Sequence, residues 1–538
     1  MKYKFVILLP LLSAMLAQCQ HKEVKKTARD ITITPKNAIT KLLVDSLQME
    51  QFISTQQLND SAALRLRNFY NSRNFQFAWL AEKGLAEQAK VFYELDRDYI
   101  SSSRDSTEAD QFLQKRIGEL LSRDTLISRV SPELVNLELS MTQHFFHFVN
   151  VAYGGKLDPA ALQWYIPRKK LDPVALLDSL MAKKGSATEE WEPVNRYYKT
   201  LNAELVRWYG IQQKRHWDPI SPGQVKKFTE GDSALVITQL KQRLADFGDL
   251  APGDSSAVFN AALTEAVKKA QKQFGFTQSG IADRSLIAAL NVPVESRIRQ
   301  MLINLERMRW APLLPENRFI LVNIPEYRLH VFEQKKETLS MGIVVGKAAN
   351  KTVIFSNSLK NIVFSPYWNI PPSIVRAEIL PAMRNNRNYL AQKDMEQYGK
   401  SDGLPMIRQK PGNTNSLGRV KFLFPNSYNI YLHDTPVKSL FSEEKRAFSH
   451  GCIRLARPKE LAAYLLADRP EWTSAKIEKA MNSKTEIWVT LKRPVPVFIT
   501  YFTSWVDKDG SINFREDIYG HDGEMAEQLF KSAEQKKL

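Results

Sequence analysis

The sequence predicts an α+β protein of several domains, and three observations lead to that prediction. The chain has 538 residues, enough for roughly three domains, and 43% hydrophobic residues, enough to build buried cores. Apolar residues at helical spacing dominate residues 37–225. Alternating or apolar runs typical of strands dominate from Phe319 onward. We therefore expect a helical N-terminal scaffold followed by a mainly antiparallel β domain.

The first 19 residues predict an export signal. Lys2 and Lys4 precede an apolar run over residues 5–17, which is too short to span a membrane comfortably. The run ends in Leu16-Ala17-Gln18-Cys19, which is similar to a bacterial lipobox, although Gln18 replaces the usual small residue. We expect an exported protein of the periplasm or cell envelope, tethered to the membrane through lipidated Cys19. The polar residues 20–36 would form the tether.

Net charge and cysteine content narrow the binding partners and functions expected of the chain. The formal net charge is +17, which favours polyanionic surroundings such as nucleic acid, lipid headgroups or cell-wall polymer. The sequence has no zinc finger, Gly-rich phosphate loop or aromatic RNA-binding signature, so we expect no nucleic-acid partner. Cys452 is the only cysteine besides Cys19. With Cys19 lipidated or removed, no intramolecular disulfide can form, and an unpaired exported thiol suggests catalysis.

The middle of the chain predicts three short helices and a longer one. Ser221-Pro222-Gly223 marks a boundary, and residues 230–292 follow it with three helical patterns. This three-helix pattern resembles the peptidoglycan-binding module of cell-wall enzymes, with a plain packing spacer as the alternative. Residues 293–314 predict a linker helix, ended by Pro312 and Pro315.

The β domain is predicted over residues 315–500. Residues 333–337 form a polar hairpin turn between two strand patterns, and the prolines around Trp368 predict a rigid extended segment. Residues 374–422 are polar and helix-like, which suggests a capping insertion over a substrate. Residues 501–538 predict a C-terminal hairpin and tail.

The candidate catalytic residues lie between Ile430 and Pro458. A thiol is a useful nucleophile as the thiolate, which needs a nearby imidazole, cation or backbone N–H array. His433 ends an alternating run that predicts a strand, so its imidazole would sit beside a loop. Gly451 has no Cβ and can present its own N–H and that of Cys452 side by side, as an oxyanion hole. The alternative is a buried, inert Cys452.

Two groups of residues resemble one enzyme family. His433, followed after a gap by Ser449-His450-Gly451-Cys452-Ile453-Arg454, resembles the signature of the L,D-transpeptidase (YkuD-type) catalytic domain. Ile362–Pro372 and Ile430–Pro436 resemble its large periplasmic YcbB-type subgroup. The similarity covers most of the chain from about residue 235 onward.

The resemblance implies an enzyme that forms 3-3 cross-links between peptidoglycan stem peptides. The nucleophilic cysteine would expel D-alanine from a tetrapeptide stem and hold the remainder as a thioester, which an amine of another stem resolves. It implies no metal or organic cofactor, and we expect a monomer that binds stem peptides and glycan. The catalytic residues would be Cys452, His433, His450 and Gly451, with His433 as the base. The substrate-binding residues would be Arg454, Ser449, Trp368 and Tyr431.

Other functions remain open at this point. With water as acceptor the enzyme would be an L,D-carboxypeptidase, and with a protein acceptor it would attach protein to the wall. A different class is a non-catalytic peptidoglycan-binding lipoprotein, against which an intact His433 and Cys452 argue. Reaction of the thiol with a carbapenem would separate that class from the enzymes.

Overall fold

A computed structural model describes residues 26–34, 40–122, 126–186, 192–194, 196–214, 217–315 and 317–531. The expected export signal, Cys19 and residues 20–25 and 35–36 of the expected tether lie outside these residues. The chain divides into two compact units. The first contains residues 1–96, 109–147 and 172–191, and the second contains residues 97–108, 148–171 and 192–538. No helix of the described residues combines the length and the apolar character needed to cross a membrane.

Helices dominate the described part of residues 40–186, as the apolar spacing predicts. Asp45 and Asn59 begin two of them by accepting hydrogen bonds from backbone N–H groups of the first turn. The strands of this part are the two-residue pairs β1 (Leu80–Ala81) and β2 (Gly84–Leu85), and β3 (Trp164–Tyr165). The α-helices are Ser46–Thr55, Asp60–Asn71, Glu87–Ser103, Gln111–Leu121, Pro132–Phe148 and Pro173–Ala182.

The second unit contains a compact helical module at residues 235–290. Two of its helices end at glycines with positive φ, Gly248 and Gly275, which is a common way to stop a helix. The module packs through one apolar cluster against the hairpin of β18 (Ser504–Val506) and β19 (Ile512–Phe514). The helices of this part are Arg196–Lys214, Leu235–Phe247, Ala261–Phe274, Arg284–Leu290 and Val294–Trp310, with the short pair β4 (Lys227–Phe228) and β5 (Ala282–Asp283).

A single large sheet forms the β domain. Its strands are β3, β6 (Arg318–Asn323), β7 (Arg328–Glu333), β8 (Lys336–Gly346), β9 (Ile354–Phe364), β13 (Val420–Leu423), β14 (Leu432–His433), β15 (Ala447–Ser449), β16 (Ile453–Leu455) and β17 (Ile487–Thr500). Most neighbouring strands are antiparallel, while β14 and β16, β6 and β17, β8 and β15, and β3 and β9 run parallel. β13 pairs with both β14 and β9, so the sheet closes on itself around an apolar core.

The register of the central strands separates the core from the outer face. Leu432 pairs with Ile453, and both side chains are fully buried in the core. His433 pairs with Arg454 at the next position, so these two side chains point to the opposite, outer face. Two helices, Pro458–Leu465 and Ser474–Met481, follow β16, and His521–Leu529 ends the described helices of the chain.

Residues 366–416 form a separate cap with its own small core. β10 (Trp368–Asn369), β11 (Met395–Ser401) and β12 (Leu404–Gln409) make a three-stranded sheet in which β12 is central. β10 therefore lies at an edge, as its proline-rich surroundings require. Ile370, Ile374, Val375, Ile379, Met395 and Ile407 form the apolar cluster beneath it.

The predicted fold class is confirmed. The chain has a helical N-terminal region, a helical module and a C-terminal, mostly antiparallel β domain, with a capping insertion. The insertion differs from expectation in one respect, because residues 395–409 form a hairpin rather than helix. Its alternating pattern is weak because the strands are largely polar, and only the Asp402-Gly403 turn marks it.

Candidate active site

His433 is the buried base candidate on the outer face of the sheet. Its side chain lies at the end of β14 and is 4% exposed. Its Nδ1 donates to the backbone carbonyl of Asp434 at 2.5 Å. Since a carbonyl oxygen only accepts, Nδ1 must carry the hydrogen, and the neutral ring then has an unprotonated Nε2. The orienting group, which the sequence does not identify, is therefore the carbonyl of the next residue.

The imidazole of His433 is neutral at physiological pH. Burial and then the positive charge of Arg454 lower its pKa from 6.5 to about 4. The carbonyls of Asp434 and Leu417 act in the opposite direction through hydrogen bonds to the ring, but they do not outweigh burial. A neutral imidazole is the form that can accept a proton from a nucleophile.

Cys452 directly precedes β16, the strand that pairs with the strand of His433. Its side chain is half-buried, and the thiol donates weakly to the carbonyl of Asn429 at 3.5 Å. Burial raises the pKa of the thiol to about 11, although Tyr431 and the charge of Arg454 act to lower it. The thiol is therefore protonated at neutral pH.

The resting site thus pairs a neutral thiol with a neutral imidazole. Burial costs the sulfur anion more than Tyr431 and Arg454 stabilise it, so the resting sulfur carries its proton. A thiolate would form when the thiol proton moves to His433. Among the described residues, the ring of His433 interacts with Asp434, Leu417, Arg454 and Tyr431, and it forms no hydrogen bond to the sulfur.

Arg454 places a positive charge beside both reacting groups. It pairs in register with His433, and its charge acts on the pKa of His433 and of Cys452. Its Nε is buried without a hydrogen-bond partner, and none of the described carboxylates forms an ion pair with it. An unpaired guanidinium at this position is suited to bind a carboxylate. The expected contact with a stem-peptide carboxylate stays a prediction.

Tyr431 lies directly against the catalytic pair. Its ring is 5.7 Å from that of His433 in an edge-on arrangement. Its side chain hydrogen-bonds Cys452, and burial followed by Cys452 raises the pKa of its phenol well above the ordinary value. The phenol is therefore a neutral donor next to the sulfur, in addition to the substrate contact expected for this residue.

Ser449 and Gly451 shape the loop that carries the nucleophile. The Ser449 hydroxyl donates to the Cys452 carbonyl at 2.6 Å and accepts from the Gly451 N–H at 3.1 Å. Gly451 has φ of +112°, a conformation that favours glycine. Its N–H, expected in the oxyanion hole, is thus used inside the loop. The Ser449 hydroxyl is likewise occupied, and its expected substrate contact stays a prediction.

The Cys452 N–H is the donor that remains available. No described residue accepts a hydrogen bond from it. The carbonyl of the same peptide, that of Gly451, accepts from Thr352 Oγ1 at 2.8 Å. Sequence reasoning missed Thr352, which lies in an ordinary loop between β8 and β9 and carries no motif.

His450 and Trp368 belong to the edge of the site and to the cap. The exposed His450 ring hydrogen-bonds Glu378 of the cap, Nε2 to Oε1, at 3.1 Å. Trp368 packs against the apolar cluster of the cap. The structure thus brings together Cys452, His433, Tyr431 and Arg454, and places these two residues farther out. Within the described residues no group of three metal-binding side chains occurs.

Comparison with known proteins assigns three parts of the chain to family models. Residues 317–497 match the family model of the L,D-transpeptidase catalytic domain, and residues 64–205 match that of a scaffold domain. Residues 235–290 match the model described as "Putative peptidoglycan binding domain". The resemblance inferred from the signature is therefore confirmed: the β domain is an L,D-transpeptidase catalytic domain, in a chain that also carries a peptidoglycan-binding domain.

One curated relative is the "Putative L,D-transpeptidase" of Haemophilus influenzae, 32% identical over 248 residues, or 43% of this chain. The chain matches about half the length of that relative, 50%. Similar solved structures include an L,D-transpeptidase from Mycobacterium smegmatis, 13% identical, covering 34% of this chain and 58% of its own, TM-score 0.20. Another, from Stackebrandtia nassauensis, is 16% identical, covers 51% of this chain and 94% of its own, and has TM-score 0.20.

Proposed function

We propose that the chain is a peptidoglycan L,D-transpeptidase that forms 3-3 cross-links through a thioester on Cys452. One observation carries the proposal: a neutral, oriented imidazole ends β14, and a protonated thiol directly precedes the neighbouring strand β16, with an unpaired guanidinium beside them. This is the arrangement that nucleophilic catalysis by a thiol requires. The catalytic and peptidoglycan-binding domains support the substrate class.

In the first half-reaction, Cys452 Sγ attacks the carbonyl before the terminal D-alanine of a tetrapeptide stem. The thiol proton moves to Nε2 of His433 as the S–C bond forms, because neither group is charged beforehand. The carbonyl oxygen becomes an oxyanion, which the Cys452 N–H is free to stabilise. The imidazolium then protonates the leaving amine, D-alanine departs, and the tripeptide stays on sulfur as a thioester.

In the second half-reaction, a side-chain amine of another stem attacks the thioester carbonyl. Neutral His433 takes the proton of the attacking amine, the C–S bond breaks as the new amide forms, and the imidazolium returns the proton to the leaving sulfur. Arg454 lies where it would bind a stem carboxylate and orient the donor. Its positive charge also favours the developing thiolate, which the resting pKa disfavours.

We also propose that the protein acts in the cell envelope as an exported monomer. The positively charged, apolar N-terminus and the lipobox-like Leu16–Cys19 support export and a lipid tether. The positive net charge is suited to an anionic wall polymer.

Product analysis tests the function. The purified full chain is incubated with a disaccharide-tetrapeptide, and products are separated by mass spectrometry. We expect a cross-linked dimer together with free D-alanine. Free tripeptide alone would indicate the carboxypeptidase, and no product from a folded protein would reject both. A disaccharide-tripeptide, which lacks the terminal D-alanine, is the matched control and gives no dimer as a sole substrate.

A further inference from the structure

Only the carbonyl of the peptide between Gly451 and Cys452 has a hydrogen-bond partner among the described residues. Its carbonyl accepts from Thr352 Oγ1 at 2.8 Å, whereas its N–H has no acceptor among the described residues. The described chain has no cis peptide bond, and in a trans peptide the C=O and N–H point in opposite directions. The hydrogen bond to Thr352 therefore fixes the direction of the Cys452 N–H.

The direction of the Thr352 hydroxyl is itself fixed. Its oxygen accepts from the Gly346 N–H at 2.9 Å, so its single hydrogen is left to donate to Gly451. The Thr352 side chain is 1% exposed, so water does not compete for either bond. Gly346 has no space for a side chain, since a Cβ there would lie 2.0 Å from the Asn350 carbonyl oxygen.

Tyr519, from the C-terminal segment, supports this arrangement through hydrogen bonds to Gly346 and Thr352. Its hydroxyl donates to the Gly346 carbonyl at 2.6 Å and accepts from the Thr352 N–H at 3.2 Å. The residue is 5% exposed. The end of β8, the following loop and the C-terminal segment thus meet at one buried junction against the nucleophile loop.

We propose that Thr352 is a positioning residue: its hydroxyl holds the Gly451–Cys452 peptide so that the Cys452 N–H forms the oxyanion hole, with Tyr519 as its support. The inference deepens the proposed function, because it names what orients the donor of the first half-reaction. It depends only on attack of the sulfur on a carbonyl, so a test needs no peptidoglycan.

Two small probes separate carbonyl attack from thiol reactivity. With p-nitrophenyl acetate, the Cys452 S–C bond forms while the carbonyl π pair moves to oxygen. The oxyanion then collapses, expels p-nitrophenolate and leaves an acetyl thioester. With iodoacetamide, the sulfur displaces iodide from a CH₂ group and no oxyanion arises. Both reactions pass the thiol proton to a base, so only the first reports on the oxyanion hole.

The test compares variants of the full chain with both probes. For Thr352→Val we expect the acylation rate to fall about 10²-fold, the scale of one lost oxyanion donor, with alkylation unchanged. Thr352→Ser keeps the hydroxyl and should restore acylation. Thr500→Val is the matched control, because its buried hydroxyl donates to the Val322 carbonyl at 2.9 Å in the same sheet. It should lower stability without changing the ratio of the two rates.

The proposal is overturned if Thr352→Val lowers both rates equally or neither, or if Thr352→Ser behaves like Thr352→Val. Tyr519→Phe, which removes only the hydroxyl, gives the same test should Thr352→Val not fold. Its acylation rate should fall selectively, though less. A wild-type chain that reacts with p-nitrophenyl acetate but not with the disaccharide-tetrapeptide would contradict the proposed function and leave this inference standing.

Discussion

Two histidines of the same sheet, the partly buried His330 and the buried His433, are held in opposite protonation states. Both nitrogens of His330 face carboxylates, those of Glu326 and Glu337, at 3.1 Å. Burial alone would lower the pKa of His330, but the two carboxylates outweigh it and raise the pKa to about 9. His433 faces carbonyls and a guanidinium instead, and its pKa falls to about 4.

The difference shows that burial does not decide what a histidine does. Both residues lie on strands, but one is an imidazolium that joins two acidic side chains, and the other is a neutral base. Only the neutral ring can take a proton near neutral pH. The charges that face each ring separate a structural from a catalytic residue.

The largest expected effect comes from the nucleophile itself. Cys452→Ala should abolish cross-linking of the disaccharide-tetrapeptide while leaving the fold intact, because the half-buried thiol is replaced by a slightly smaller methyl group. Circular dichroism checks the fold, and mass spectrometry checks the products. Dimer formation by the variant would remove Cys452 from the mechanism.

The next largest effect is expected when each of the two histidines is replaced in turn by glutamine. His433→Gln should lower kcat/KM by about 10²–10⁴-fold, the contribution typical of a general base. His330→Gln is the matched control, and its kcat/KM should stay within about threefold of the parent at 25 °C. Equal losses of kcat/KM in the two variants would contradict the assignment of His433 as the base and His330 as a structural residue.

The pH profile sharpens the same comparison. Because the folded pKa of His433 is about 4, kcat/KM of the parent should remain high as pH falls through 6.5 and decline only near 4. Initial rates between pH 3.5 and 8 measure this limb. A decline of kcat/KM centred on pH 6.5 would mean that the base is not the buried imidazole of His433.

A smaller effect is expected on stability. The raised pKa of His330 contributes stability that is fully present below pH 6.5 and is lost as pH rises through about 9. The Tm of His330→Gln should therefore fall by about 5 °C at pH 6, and the deficit should shrink toward pH 10. Differential scanning calorimetry at both pH values measures it, and a constant deficit would contradict the charged His330.

The smallest effect is expected at the edge of the cap. Glu378→Gln removes the carboxylate that faces His450, but both side chains are about half exposed, so the contact contributes little. The kcat of the variant should stay within about threefold of the parent at both low and high salt. A much larger loss would give His450 and the cap a direct part in turnover.

The sequence predicted the framework of the site better than its electrostatics. The alternation from Phe319 and the polar turn at residues 333–337 were enough to predict three strands. Cys452 and His433 could be recognised as catalytic candidates because nucleophilic and basic residue types are rare. The hairpin of the cap was missed because its strands are largely polar.

The features of the site that the sequence did not predict depend on backbone groups and common side chains, which every protein sequence contains. The carbonyl of Asp434 orients His433, and Thr352 fixes a main-chain peptide, but neither contact leaves a pattern along the chain. The raised pKa of Cys452 likewise follows from burial by segments distant in sequence. Side-chain identity predicts candidates, whereas their protonation depends on tertiary packing.

The central claim is that Cys452 carries the acyl group. The full chain is mixed with the disaccharide-tetrapeptide, quenched in acid within seconds, and its intact mass and peptide map are determined. We predict an added mass equal to the donor without its terminal D-alanine, located on the peptide that contains Cys452. Product formation with no adduct at any quench time, or an adduct on another residue, would contradict the account.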